Sequence, residues 1–381
     1  MQPRAADSLV PTQNQFWREG VAAGLHKTGL LRLIQSASRR YELRSSGVRF
    51  AKASSTKCVI LCYHRIGSGG APLYSAQDPA VFESQMRYLR EHYHLVSLDL
   101  LAEELQDVKA RKAQQSVAIT FDDGYRDIFR YAFPVLQRYK IPATVYLTAD
   151  AIERNELAWY DRVFVSLSLA PGEKLDVLLA RPIRFFLPTP VARLQAAEQI
   201  ISYLRTLPDE ERRHFCSELE RQIPVPPEQS ADRMLTWEQA RIMQAEGVVF
   251  GSHTLAHPAI SRLTQAALDR ELRESKSKVE ERLGVTVNHF AYPFGKPGDY
   301  SNTTETVKRC GYRTAATTNW GINMPGVNPY ELRRVSIGEE RNLAVFGMKL
   351  TQLFLSSDTG DNVFQAGQSK KVEPALSPAV R

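Results

Sequence analysis

The chain has 381 residues, 43% of them apolar and 24% charged, with a formal net charge of +7. This length and balance describe a globular protein with a core of its own, in one large domain or two ordinary ones, and exclude a disordered or staple-dependent chain. No stretch approaches the ~20 consecutive apolar residues of a membrane-spanning helix, and the first 25 residues carry polar breaks where a secretory signal would need an apolar run.

Residues 1–55 read as an N-terminal helical leader. Phe16, Trp17, Val21, Leu25, Leu30, Leu31 and Ile34 recur at roughly helical spacing. Residues 1–50 hold eight basic side chains against three acidic ones. Such a helix packs on a domain surface or lies in an anionic membrane interface. A cytoplasmic chain, or one peripheral on the inner membrane face, is the expectation. No recognition motif supports nucleic acid.

From Lys57 the pattern alternates. Cys58–Tyr63 reads as a buried strand, Phe82–Tyr93 as a helix, and Leu98–Val108 as a helix after Ser97. Ser116–Phe121 is the next strand, followed by a helix to Tyr139 with Pro134 in its first turn, then strand Ala143–Leu147. Thr236 with Gln239 forms a capping box for a helix ending at Gly247. Strand Val248–Phe250, helix Thr264–Leu283 stopped at Gly284, strand His289–Pro293, helix Ser301–Cys310, and strands Thr314–Thr317 and Arg334–Ile337 follow. Alternating β and α units predict a mostly parallel sheet. About seven strands without a dinucleotide-binding glycine fingerprint favour a barrel, whose chemistry gathers at strand carboxyl ends. Residues 56–150 and 236–345 are the two parts of that barrel, and 151–235 is a helical insertion over its active face. Residues 346–381 form a terminal helix and a disordered tail. Cys58, Cys62, Cys216 and Cys310 show no metal-type pairing. Cys58 and Cys62 stand roughly 13 Å apart along one strand, too far to bridge, so free thiols and a reducing compartment are expected.

Thr120-Phe121-Asp122-Asp123-Gly124 places two adjacent carboxylates where a buried strand ends. Adjacent acids repel, and a cation or a shared proton relieves them. His253 and His257 lie in a tight strand-to-helix turn far downstream. Asp-Asp-Gly is also an ordinary turn sequence, and four-residue His spacing arises by chance in a chain with eight histidines. Together, Asp123, His253 and His257 supply the three ligands of a catalytic zinc, which takes His nitrogen and Asp oxygen at ~2.0–2.2 Å and keeps a position open. Asp122 is then left as a base. Cobalt, nickel or manganese suits the same donors.

Thr120-Phe121-Asp122-Asp123-Gly124, His253-Thr254-Leu255-Ala256-His257-Pro258 and Tyr292-Pro293-Phe294-Gly295 resemble, in order, the first three motifs of the polysaccharide deacetylases of carbohydrate esterase family 4. Leu61-Cys62-Tyr63-His64-Arg65-Ile66 and Trp159-Tyr160-Asp161 resemble the subgroup associated with exopolysaccharide synthesis. The resemblance spans roughly residues 57–345 and implies a distorted (β/α)7 barrel. It implies Asp122 as general base, Asp123, His253 and His257 as metal ligands, and the Phe294 N–H as oxyanion donor. The family's third motif carries an Arg two residues before its Pro, where Ala291 stands here. Arg334 is the candidate replacement; otherwise it is an exposed strand-end arginine. The family's late catalytic His has no counterpart, because no His follows His289. His64, at the carboxyl end of the first strand, is the candidate acid, and Asp161 of the insertion is within reach if that segment folds over the site. His289 should point away. The expected activity is metal-dependent N-deacetylation of N-acetylhexosamine units in a polysaccharide or glycolipid. O-acetyl ester or small-amide hydrolysis uses the same site, and a glycan-binding barrel without catalysis is the third reading.

Overall fold

Uninterrupted apolar runs such as Lys57–Tyr63, where only the first residue is not buried, belong in a sheet covered on both faces. A computed structural model describes residues 56–67, 76–107, 115–226, 234–338 and 341–355. The leader 1–55 and the tail from 356 lie outside the described residues.

The first half runs β1 (Lys57–Tyr63), α1 (Pro79–His92), β2 (His94–Leu95), α2 (Leu98–Gln106), β3 (Gln115–Phe121), α3 (Phe133–Tyr139), β4 (Ala143–Leu147) and α4 (Ala149–Arg154). The insertion holds α5 (Trp159–Leu169), the hairpin β5 (Lys174–Leu178) and β6 (Pro182–Phe186), α6 (Pro190–Leu204) and α7 (Asp209–Gln222). The second half runs α8 (Trp237–Ala245), β7 (Val249–Ser252), α9 (Gln265–Leu283), β8 (His289–Ala291), α10 (Pro297–Tyr300), α11 (Thr304–Arg309), β9 (Thr314–Ala316), β10 (Val335–Ser336) and α12 (Leu343–Leu355). Local signals set the helix ends. Ser97 Oγ accepts from Leu100 N–H, Thr236 and Gln239 complete their capping box, and Gly284 ends α9 at φ +69°.

Seven strands lie in the order β10-β1-β3-β4-β7-β8-β9, and every pairing is parallel. One extended segment curls this sheet into a barrel. Leu332 bridges Ala316 on β9, and three residues later Val335 and Ser336 pair with Leu61 and Cys62 on β1. The result is the distorted (β/α)7 barrel expected from sequence. Small and apolar side chains, among them Cys58, Ile60, Ala118, Ala291 and Ala316, pack with Tyr146 and with Leu98, Leu101 and Leu105 of α2. The insertion has a separate core around Val163, Leu167, Ile200 and Cys216.

Three local expectations shift. The insertion is not wholly helical: Lys174–Leu178 alternates exposed and buried residues and pairs antiparallel with β6. Two five-residue strands between long helical patterns give too short a period-2 signal to stand out. The helix expected over Ser301–Cys310 is confined to α11, Thr304–Arg309, because Asn302 adopts φ +62°, and a separate short helix, α10, precedes the expected start. The strand expected to reach Pro293 stops at Ala291, since Pro293 has no N–H for the ladder and Phe294 turns to φ +59°. All four cysteines are buried and free, as expected.

Gly251 sits opposite Tyr146 in the β4–β7 register. A Cβ there would lie 2.6 Å from the Tyr146 ring and 2.8 Å from the His289 carbonyl oxygen. Gly251→Ala is therefore expected to cost about 1–3 kcal/mol by overpacking, read as a lowered urea midpoint at unchanged m-value. An unchanged midpoint would contradict this β4–β7 contact.

Candidate metal centre and active site

The β3 strand ends with Asp122 N–H donating to the Tyr63 carbonyl at 3.0 Å. Asp123 then adopts φ +70° and Gly124 φ +84°, and Gly124 N–H closes the turn onto the Asp122 carbonyl at 2.8 Å. A side chain at Gly124 would meet Leu147 at 2.7 Å, so glycine is required there on two counts. This turn sends the two carboxylates to different partners.

Asp122 faces Arg334. The guanidinium clasps the carboxylate through Nη1–Oδ1 and Nη2–Oδ2, both 2.7 Å, while its Nε–H donates to the Thr317 carbonyl at 2.8 Å. Arg334 is fully buried, which removes the reading of an exposed strand-end arginine. Burial alone would raise the Asp122 carboxyl, but the Arg334 charge overrides it and holds the group well below the usual carboxylate range. His64 Nε2 lies 3.9 Å from Asp122 Oδ2, with the imidazole half-exposed at the rim.

Asp123 faces His253 and His257. Each Nε2 lies 3.5 Å from Asp123 Oδ1. The His253 ring is fixed by its Nδ1, 2.8 Å from the Ala291 carbonyl oxygen. A carbonyl only accepts, so Nδ1 carries the proton and Nε2 turns a lone pair towards Asp123. His257 is packed against Tyr160 and Phe294, with ring centroids 4.7 and 4.8 Å away. Burial pushes its imidazole well below the ordinary histidine range, into the neutral form that ligates metals. Asp123 Oδ1 and His257 Nδ1 are buried with no hydrogen-bond partner among the described residues. A buried carboxylate oxygen with nothing to accept is costly unless a cation meets it. The three donor atoms lie within 4.8 Å of one another, and Asp/His₂ is a catalytic-zinc donor set, so these residues fit a divalent ion.

The loop between the two histidines is held from behind. Glu271 of α9 accepts from Leu255 N–H at 2.8 Å and Ala256 N–H at 3.3 Å, and Trp159 Nε1–H donates to the His257 carbonyl at 3.2 Å. Phe294 stands beside His257, with Gly295 N–H turned onto the Pro293 carbonyl at 2.6 Å and Thr318 Oγ1–H onto the Phe294 carbonyl at 2.8 Å. The Arg205 guanidinium lies 4.0 Å over the Phe294 ring and pairs with Asp299. Asp161 is buried and accepts from the Tyr125 hydroxyl at 2.7 Å. His289 is at the far end of β8, with its Nε2 3.1 Å from Asp99 Oδ1, and does point away. Sequence reading did not single out Glu271, Cys62 or Arg205. Glu271 is one of many charges on α9, and Arg205 follows a helix with no motif around it.

A family model for polysaccharide deacetylases matches residues 109–315, more than half of the chain. The chain belongs to the polysaccharide deacetylase family. Enzymes of this family depend on a metal. The Bacillus subtilis protein YxkH is 21% identical over 291 residues, covering 76% of this chain and 75% of its own. The poly-β-1,6-N-acetyl-D-glucosamine N-deacetylase of Staphylococcus epidermidis is 30% identical over 139 residues, 33% of this chain and 45% of that protein. The solved Streptococcus pyogenes deacetylase PplD has the same fold, with a TM-score of 0.54, 19% identity, and 79% and 100% of the two chains covered.

Burial raises the Glu271 carboxyl to about 7, against the two backbone N–H bonds that favour its charge. An unfolded glutamate titrates near ~4.3, so the folded chain holds the extra proton between those values, and stability falls as pH rises through that window. Glu271→Gln should flatten this decline. Glu271→Ala strands two N–H groups and should cost ~1–3 kcal/mol for each. Urea unfolding at about pH 5 and about pH 8 tests both, and an unchanged slope in the Gln variant would contradict the assignment.

Proposed function

We propose that this polysaccharide deacetylase removes N-acetyl groups from N-acetylhexosamine units of a polysaccharide or glycolipid. Asp122 serves as general base, His64 as general acid and the Phe294 N–H as oxyanion donor, with Arg334 orienting the base. Asp123, His253 and His257 hold a divalent cation, zinc in the first place, with cobalt, nickel and manganese suited to the same donors. The reading is carried by the divergence of two adjacent acids. Asp122 is neutralised by Arg334, whereas Asp123 presents an unpartnered oxygen to two imidazole nitrogens. The Staphylococcus epidermidis relative, named for an N-acetylglucosamine polymer, supports an amino-sugar substrate.

A cation bound there polarises a carbonyl and lowers the pKa of water. The chain supplies the rest. Asp122, ionised and fixed in orientation by Arg334, accepts a proton from the attacking water. The Phe294 N–H meets the charge that develops on the acetamide oxygen, a kind of donor worth ~2.7–4 kcal/mol elsewhere. His64, at the open rim on the Asp122 side, returns a proton to the leaving amine, a task suited to imidazole near neutral pH. Tyr160 and Phe294 wall the site beside His257 with apolar surface. Acetate and a free amino sugar are the products.

Asp122→Asn should keep the metal and lose at least ~100-fold in acetate release from N-acetylglucosamine oligomers, whereas Asp123→Ala should lose both metal and activity. Asp122→Asn should also lower stability, because Arg334 becomes a buried charge without its partner. Faster acetate release from O-acetylated than from N-acetylated oligomers would sink the N-deacetylase assignment.

Among the described residues no helix is long and apolar enough to cross a membrane. The basic, apolar-striped pattern of residues 1–50 supports a peripheral place on an anionic membrane face. Deleting residues 1–50 should then abolish sedimentation with anionic vesicles; retained sedimentation would rule the leader out as the anchor.

A further inference from the structure

A second set of donors lies on the other flank of Asp122. Side chains two residues apart on a strand share a face, so Cys58, Ile60, Cys62 and then His64 continue one row of β1. Cys62 is the register partner of Thr120, two residues before Asp122. The Cys62 S–H donates to Asp122 Oδ2 at 3.4 Å, and His64 Nε2 lies 3.9 Å from the same oxygen. All three donor atoms fall within 4.8 Å of one another.

These spacings have a coordination meaning. Ligand atoms ~2.0–2.3 Å from a tetrahedral ion stand ~3.3–3.8 Å apart. The Cys62–Asp122 distance of 3.4 Å falls in that range and the His64–Asp122 distance of 3.9 Å lies just beyond it, while the Asp123 oxygen stands 3.5 Å from each imidazole nitrogen of the first site. We propose that Cys62, His64 and Asp122 Oδ2 form a second, thiophilic metal site, which takes up Zn²⁺ or Cd²⁺ beyond the first equivalent and shuts the reaction off.

The donor set selects soft ions. One sulfur, one imidazole nitrogen and a single carboxylate oxygen suit zinc or cadmium, whereas magnesium and calcium require six or more oxygens. Cys62 is fully buried and Asp122 nearly so, but the His64 side chain is 46% exposed, which leaves an entry on the rim. Arg334 occupies one lone pair on each Asp122 oxygen. Oδ2 retains a second, into which the Cys62 S–H now points. On binding, the S–H bond breaks, its proton leaves to solvent, and the thiolate forms the metal–sulfur bond with no change of oxidation state. The need to displace that proton, beside the Arg334 charge, makes this the weaker of the two sites.

Inhibition follows from shared atoms and rests on the roles proposed above. An ion here occupies the Asp122 lone pair that would take the water's proton and the His64 nitrogen that would protonate the amine.

The test is a titration of metal-stripped full-length protein with CdCl₂, read by the ultraviolet thiolate-to-cadmium charge-transfer band and by bound metal per chain. Two ions per chain are expected, with the band growing only after the first equivalent. Cys62→Ser should lose the band and one ion, and His64→Ala, altered at an exposed position, should weaken the band-forming step at least tenfold while keeping the first ion. Asp123→Ala should lose the first ion and keep the band. With ZnCl₂, acetate release should rise with the first equivalent and fall at least tenfold in excess. A single ion without a thiolate band, a band that survives Cys62→Ser, or one abolished by Asp123→Ala would overturn the second site. Loss of the first ion from the wild-type protein with the band intact would instead count against the catalytic reading.

Discussion

The mouth of this barrel depends on keeping Asp122 and Asp123 from facing one another. Neighbours along an extended strand would alternate faces, but here the strand has ended, and a left-handed turn does the separating. That conformation carries a cost for a residue with a Cβ. It is offset by Gly124 N–H bonding back to Asp122 and by Leu235 N–H bonding to the Gly124 carbonyl at 2.8 Å. Seven non-glycine residues among those described adopt positive φ, and four of them, Asp123, Thr254, His257 and Phe294, are at this site. Strain is concentrated where donors must be aimed, which is the pattern expected when geometry matters more there than local stability.

Arg334 links that turn to closure of the whole sheet. It lies 212 residues beyond Asp122, on the segment that crosses from β9 to β1. The ion pair exists only in the closed barrel, and two buried charges in one clasp penalise any opening that separates them. The depressed Asp122 pKa adds stability that is present above the unfolded value near ~3.9 and is lost as pH falls through the folded one. Because the folded value is so low, the carboxylate stays ionised throughout the neutral range.

Much of this was legible in residue order, because the relevant signals are local. The buried runs of β1, β3 and β4, the Thr236 and Gln239 box and the Gly284 stop are each contained within a few residues. The Asp-Asp turn and the histidine pair could also be read, since two adjacent acids at a buried strand end repel and a cation relieves them, although each motif alone is ordinary. What stayed hidden depends on contacts between distant segments. Glu271 looks like any other charge on α9 until the 253–257 loop folds over it. Cys62 is an ordinary buried strand residue until the parallel register sets it beside β3. The β5–β6 hairpin failed for another reason: each strand is too short for period 2 to outweigh the helical patterns on either side.

The insertion shows how added chain acts on a site whose candidate metal ligands it does not supply. Its own core gives it independent packing, so its helices need not disturb the barrel interior. Its contacts with the site come at a few rigid points. Trp159 bonds the His257 carbonyl, Tyr160 packs against the His257 ring, and Arg205 covers Phe294 while anchored to Asp299. A buried Arg212 lies 5.3 Å from the Trp159 ring and backs that contact. These residues fix the His257 side from above while Glu271 fixes the same loop from behind. On the other side, among the described residues, the His64 side chain is half-exposed. The mouth is asymmetric, packed by aromatic rings on the His257 side and half-exposed at His64. The second metal site proposed above would be reached from this same rim, through the exposed His64.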